Sequence, residues 1–164
     1  MLRDKNLIPL SHQHRHALAL CVRIERASPI AESEVAAWLA EVAQHFRSEV
    51  QFHFAAEESV VFRAARRVGE LDTLIDELLA DHAALREQFA SAEAGGMTSA
   101  ELSLFAQRLS AHIRKEERQL FERMQELMDA RELSSLGQAL DVALKDAVDA
   151  CILPSAATRR RSAK

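Results

Sequence analysis

Tyrosine is missing altogether from this chain of 164 residues, and proline and glycine are scarce, at three and four. Threonine and isoleucine are also few, which leaves little from which to build strands. Ala, Leu, Glu, Arg and Gln, the residues that lose least on entering a helix, take their place. A sheet-based fold is therefore excluded and an all-α fold expected. The two cysteines, Cys21 and Cys151, are far apart and show no CxxC spacing. They read as small apolar residues of a reducing compartment, with no bridge and no redox chemistry. No apolar run approaches the ~20 residues a membrane span needs. The start, Met1-Leu2-Arg3-Asp4-Lys5-Asn6, has no apolar secretion core, so a cytoplasmic location and no membrane partner are expected. Positive charge is not in excess: the net charge is −4 and the isoelectric point about 6.0, which argues against a nucleic-acid partner. The Arg159-Arg160-Arg161 run reads as part of a solvated, disordered basic tail over 154–164.

What is present is helical periodicity. A first helix is expected from Ser11, as N-cap, to Ala27, stopped by Ser28-Pro29. A second runs from Ser33 to Val68 and closes at Gly69, in the position of a left-handed C′ residue. A third spans Leu71 to Ala94, ended by Gly95-Gly96. Thr98 and Glu101 have the spacing of a capping box that opens a fourth, to about Asp129. Leu136, Leu140, Ala143, Leu144 and Val148 predict a fifth over 132–153, ended by Pro154. Short links between long helices force antiparallel neighbours. The expected architecture is an up-down-up-down four-helix bundle over 1–130 with an accessory C-terminal helix.

Each bundle helix aims one histidine at the core. Helix 1 has the stripe Leu7, Leu10, His14, Leu18, Cys21; helix 3 has Leu71, Ile75, Leu78, His82, Leu85, Phe89. Helix 2 passes through Val42, Phe46, Glu49 or Val50, His53, Glu57 and Val60 or Val61. Helix 4 gives Leu102, Phe105, Leu109, His112, Glu116, Leu120. A single core histidine is more often structural than a ligand. Four with two glutamates are different, because buried ionisable groups cost several kcal/mol each unless paired or metal-bound. His53 and Glu57 lie 16 and 12 residues before Gly69 and His82 lies 13 after it, so their heights agree. Helix 1 fits less well: His14 is 14 residues before Ser28 while His53 is 20 after Ser33. The 28–33 link must climb, or helix 2 must start later.

An internal repeat is the strongest feature. The segments from His53 to Phe62 and from His112 to Phe121 share H-φ-x-x-E-E-x-x-φ-F, where φ is apolar. Histidine and glutamate four apart lie on one helix face and bring nitrogen and oxygen donors together, a set that suits iron. With the helix-1 segment Gln13-His14-Arg15-His16-Ala17-Leu18 and with Asp81-His82, this pattern resembles the hemerythrin-like, HHE cation-binding family, from about Leu10 through Met128. The resemblance implies two iron ions, oxo- or hydroxo-bridged, with His14, His53, Glu57, His82, His112 and Glu116 as ligands and the two carboxylates bridging. It leaves His16 as a rival for His14 and Glu117 as a rival for Glu116. The chain departs from the family where proline often follows the Phe; here Arg63 and Glu122 stand. His12 and His16 otherwise read as solvated or as partners of a ligand, and Glu49 either orients a ligand or makes an ordinary interhelical contact.

Three functions compete: a sensor or carrier taking up O2 or NO, a di-iron enzyme or iron-centre repair protein acting on NO or peroxide damage, and a structural helical module. Six ionisable groups in one core count against the last. A ferritin-like oxidase needs E-x-x-H pairs, and none is present. Four imidazoles with only two carboxylates donate little negative charge and favour ferrous iron, hence reversible ligand uptake. The core offers no second polar cluster for an organic substrate. Uptake of O2 or NO is the leading expectation.

Overall fold

The structure, a computed structural model, describes residues 2–145 and Thr158. All regular elements among them are helices. Helix α1 is Ile8–Ala27; α2 covers 32–66; α3 is Asp72–Glu93; α4 covers 99–127; α5 is Ala130–Ala143. The rest of the expected fifth helix, Cys151 and the basic tail apart from Thr158 lie outside the described residues.

Helix α1 starts before the expected Ser11, with Leu7 at the N-cap and no side-chain cap. Pro9 explains the shift: in the first turn its missing N–H is no loss and its fixed φ is already helical. Gly69 and Gly95 end α2 and α3 at φ of 72° and 71°, as expected of left-handed caps. The Thr98–Glu101 capping box forms, and a second one that sequence reading missed, Asp129 with Glu132, opens α5.

Contacts between successive helices run in opposite sequence order. Between α1 and α2, Gln13 meets His53, His16 meets Glu49 and Arg23 meets Glu41. Between α2 and α3, Arg47 meets Glu93, Glu58 meets His82 and Arg66 meets Asp76. The height mismatch at helix 2 resolves in favour of a climbing link. Ser28 Oγ bonds Ser103 Oγ at 2.7 Å, whereas the Ile30 N–H donates to Ser99 Oγ at 3.1 Å, one turn higher on α4. The first turn of α2 thus rises past α1, and Val35 and Leu39 pack with Ala92 and Met97.

Neither α2 nor α4 is uniformly α-helical. Phe46–Val50 and Glu57–Val61 in α2, and Glu116–Leu120 in α4, are single π-helical turns. One extra residue in a turn advances the inward face, which is why Val61 is fully buried and Val60 is not. Two apolar clusters occupy the two ends of the helical assembly. One contains Ile24, Trp38, Phe89 and Phe105; the other contains Leu10, Phe62, Ile75 and Phe121. Helix α5 joins the second through Leu133, Leu136 and Leu140, and lies against α2 at the Glu57–Val61 turn. The polar site sits between the two clusters.

Candidate metal centre

All six singled-out residues are buried: His14, His53, His82 and His112 are at most 4% exposed, and Glu57 and Glu116 are 0% exposed. They come together at one height, one histidine from each of α1 to α4 and the glutamates from α2 and α4. Two overlapping groups result. One is His14, His53, Glu57 and Glu116; the other is Glu57, His82, His112 and Glu116, and within each group the donor atoms lie within 4.8 Å of one another. Both glutamates belong to both groups.

The contacts show how the sharing works. Glu57 turns Oε1 to His53 Nε2 at 3.2 Å and to His14 Nε2 at 3.7 Å, and Oε2 to His82 Nε2 at 3.4 Å. Glu116 turns Oε2 to His14 Nε2 at 3.2 Å and to His112 Nε2 at 3.3 Å, and Oε1 to His82 Nε2 at 3.7 Å. Neither carboxylate makes a hydrogen bond from either oxygen, and His82 Nε2 and His112 Nε2 make none either. Buried groups left this way cost about 1–3 kcal/mol each, more when charged. The remaining two ring nitrogens, His14 Nε2 and His53 Nε2, point at each other across 2.9 Å. Two nitrogens each ~2.0–2.1 Å from one ion at a right angle would stand ~2.9 Å apart. Donor type, sharing and unsatisfied atoms all fit a pair of bound cations.

Without a cation the charges must settle among themselves. Burial lowers the His14 and His82 pKa, but carboxylates outweigh it: Glu116, Glu117 and Glu57 hold His14 well above its usual value, and Glu116 and Glu57 lift His82 to about 10. Burial works to raise the Glu57 pKa, but His53, His14 and His82 hold the carboxyl well below the usual carboxylate range. The His14 and His82 rings thus supply counter-charge that a metal would replace.

The outer nitrogens of the histidines are also held. His14 Nδ1 meets Glu117 Oε1 at 2.7 Å, His82 Nδ1 meets Glu58 Oε1 at 2.8 Å, and His53 Nδ1 meets Gln13 Oε1 at 2.7 Å. His112 Nδ1 faces Asp81 Oδ2 at 3.6 Å. The three hydrogen-bonded partners fix the His14, His53 and His82 rings with Nε2 inward, whereas His112 Nδ1 makes no hydrogen bond. Glu117 therefore does not compete with Glu116 for the centre; it backs His14. His16 does not point inward either, since its Nδ1 bonds Glu49 Oε2 at 2.9 Å, while His12 packs edge-on against it. Glu58 and Glu117 are the second glutamate of each repeat copy, and Gln13 and Asp81 each precede a helix histidine. Their places in the motif were the signal; their role needed the neighbouring helix to be seen.

A further H-φ-x-x-E stands one step earlier on α2, at His45 and Glu49. His45 is buried, and burial first, then His16, His53 and Arg23, push its pKa down to about 4. It forms no third cation-holding group among the described residues.

The sequence matches the profile of the hemerythrin HHE cation binding domain over residues 9–124. The chain belongs to that family. The match takes in α1 to α4 with all six centre residues and stops short of α5. No curated protein and no solved structure matches the chain. None of the described helices is long and apolar enough to cross a membrane.

A small cavity of about 10 Å³ adjoins the centre, walled by Ala17, Val50, Leu109 and Ile113 and by His14, His53, His112 and Glu116. A volume of that order admits about one water-sized molecule.

Proposed function

We propose that this member of the hemerythrin HHE family is a non-heme di-iron protein that takes up O2, NO or both, in the cytoplasm. The helices form an up-down-up-down four-helix bundle over 1–130, with the segment from 132 as an accessory. One observation carries the reading: two four-donor groups share Glu57 and Glu116. His14 and His53 would hold one iron, His82 and His112 the other, and the two carboxylates would serve both. Imidazole nitrogen with carboxylate oxygen suits iron, and two carboxylates leave the pair of ferrous ions with excess positive charge. The iron pair supplies an electrophilic, redox-active position for a diatomic ligand. The chain's own part is to orient the imidazoles of His53, His82 and His14 through Gln13, Glu58 and Glu117, and to exclude bulk water with the two apolar clusters. The size and walls of the cavity favour a diatomic over an organic substrate, which ranks uptake above an enzyme or iron-centre repair activity.

The test is to load the protein with ferrous iron without oxygen, measure iron per chain, and expose separate samples to O2 and to NO. About two irons per chain and a new charge-transfer band with at least one gas are expected. An unchanged spectrum with both gases, at confirmed loading, would remove uptake and favour iron storage.

A further inference from the structure

Two guanidinium groups stand behind the centre in the same way. Arg3 donates through Nη2 to Glu117 Oε2 at 2.7 Å, and the other oxygen of that carboxylate meets His14 Nδ1. Its guanidinium carbon lies 5.2 Å from the centroid of the Phe121 ring, and that ring is stacked on His14, 13° from parallel. On the opposite side Arg86 donates to Glu58 Oε1 at 2.7 Å, the oxygen that also meets His82 Nδ1. Its guanidinium carbon lies 5.4 Å from the centroid of the Phe54 ring, which is stacked on His82 at 3.8 Å. Each of the two histidines is thus reached by one arginine along two routes, through a carboxylate and through a phenyl ring. The chain supplies these arginines from unrelated places. Arg86 is one turn after His82 on α3, whereas Leu18 stands one turn after His14 on α1. The cation comes there from the segment before α1, ahead of the family match that begins at residue 9. Arg3 also donates to Gln125 Oε1 at 2.8 Å and to the Glu117 carbonyl at 2.6 Å, which fastens that segment to α4.

Building on the di-iron reading, we infer that Arg3 and Arg86 are positioning residues that bias the centre toward its ferrous form by limiting what His14 and His82 donate. A bare carboxylate behind an imidazole draws on its N–H proton and makes the ring a stronger donor, which favours the ferric state. A guanidinium on that carboxylate takes up part of its charge, because charge-assisted hydrogen bonds of this length are strong. The carboxylate then orients the ring without lending it the full negative charge. The positive charge itself also opposes the further charge of a ferric ion. Arg3 has the larger effect of the two, since its side chain is 19% exposed against 40% for Arg86 and water screens it less.

The test measures the midpoint potential of the full-length protein loaded with iron, by anaerobic redox titration followed in the visible spectrum. R3Q should favour the ferric form about tenfold relative to wild type, the lower end of the range over which groups behind a ligand act. That lowers the midpoint by about 59 mV for a one-electron step. R86Q should lower it by less, and the double variant by more than either. R3K and R86K keep the charge and should restore more than half of the shift. Iron per chain is measured throughout, and circular dichroism checks folding; should R3Q fail to fold, R86Q and R86K decide. Midpoints of R3Q and R86Q equal to or above that of wild type, at two irons per chain, would overturn the inference and leave the di-iron reading intact. A purely structural latch would give that result, with a lower melting temperature alone. A shift that the lysine variants do not reduce would overturn it as well. Saturation of wild type below two irons per chain would overturn the di-iron reading itself.

Discussion

Glu57 belongs to both donor groups, and its replacement by Gln is the sharpest test of a shared carboxylate. Gln keeps the volume but removes the negative charge. A ligand present at a hundred times its dissociation constant stabilises the folded state by about 2.7 kcal/mol, so two independent positions contribute about 5.4 kcal/mol. At about 2–4 °C per kcal/mol for a domain of this size, iron should raise the melting temperature of the wild-type chain by about 11–22 °C. In E57Q both positions lose a donor, because Glu57 Oε1 serves His14 and His53 while Oε2 serves His82. The iron-induced rise should fall below about half the wild-type value at the same iron concentration. The metal-free variant should also melt lower than metal-free wild type. Removing one partner of a buried charge pair costs about 3–5 kcal/mol, and here it leaves His14 and His82 without one of their two shared carboxylates. Melting curves by circular dichroism with and without ferrous iron measure both effects. An E57Q rise equal to that of wild type would refute the sharing; a drop to half with one position untouched would assign Glu57 to a single metal.

Cys21 is fully buried and burial pushes its thiol up to about 12, so iodoacetamide at pH 8 should leave it unlabelled in the native protein and label it in guanidinium, as read by mass spectrometry. Gly137→Ala should destabilise by about 1–3 kcal/mol in urea titrations, because a Cβ there would fall within 2.8 Å of Asn6 Cβ. Adding Asn6→Gly, which removes the whole clashing side chain including Cβ, should recover part of that loss. Thr98→Ala removes the hydroxyl that accepts from the Glu101 N–H, and should cost about 1 kcal/mol in the same assay.

Residue periodicity exposed the helices and the inward residues because burial repeats along a helix, and a histidine on an apolar stripe is legible wherever that stripe is regular. Choices between adjacent residues were harder. Glu116 and Glu117 differ by about a hundred degrees around α4, less than the uncertainty in a helix's rotation read from sequence, and each has a histidine to meet. His14 and His16 likewise both find carboxylates, one at the centre and one at Glu49. The π-helical turns were not legible at all, because a local extra residue leaves no mark in composition and shifts the apolar pattern by only one position. The start of α1 was misread for a simpler reason: Ser11 looks like a cap, but Pro9 had already begun the helix.

Two of the contacts that orient the histidines cross between the pairs of helices that supply them. His14 and His53 come from α1 and α2, and His82 and His112 from α3 and α4. Yet His14 is held by Glu117 of α4, and His82 by Glu58 of α2. A hairpin of α1 and α2 alone would have two imidazoles and Glu57, but no Glu116 and nothing behind His14. The centre is complete only when all four helices have docked, so no half of the chain can hold a metal position as the whole does. Metal binding must then draw on the folding of α1 to α4 together, and its stabilisation must appear in a single cooperative transition rather than in local protection of one helix pair. The π-helical turns fit the same logic. Those at Glu57 and Glu116 begin at the shared carboxylates themselves. A regular helix would be the more stable local choice, and at these two turns its loss accompanies a carboxylate that faces both donor groups at once.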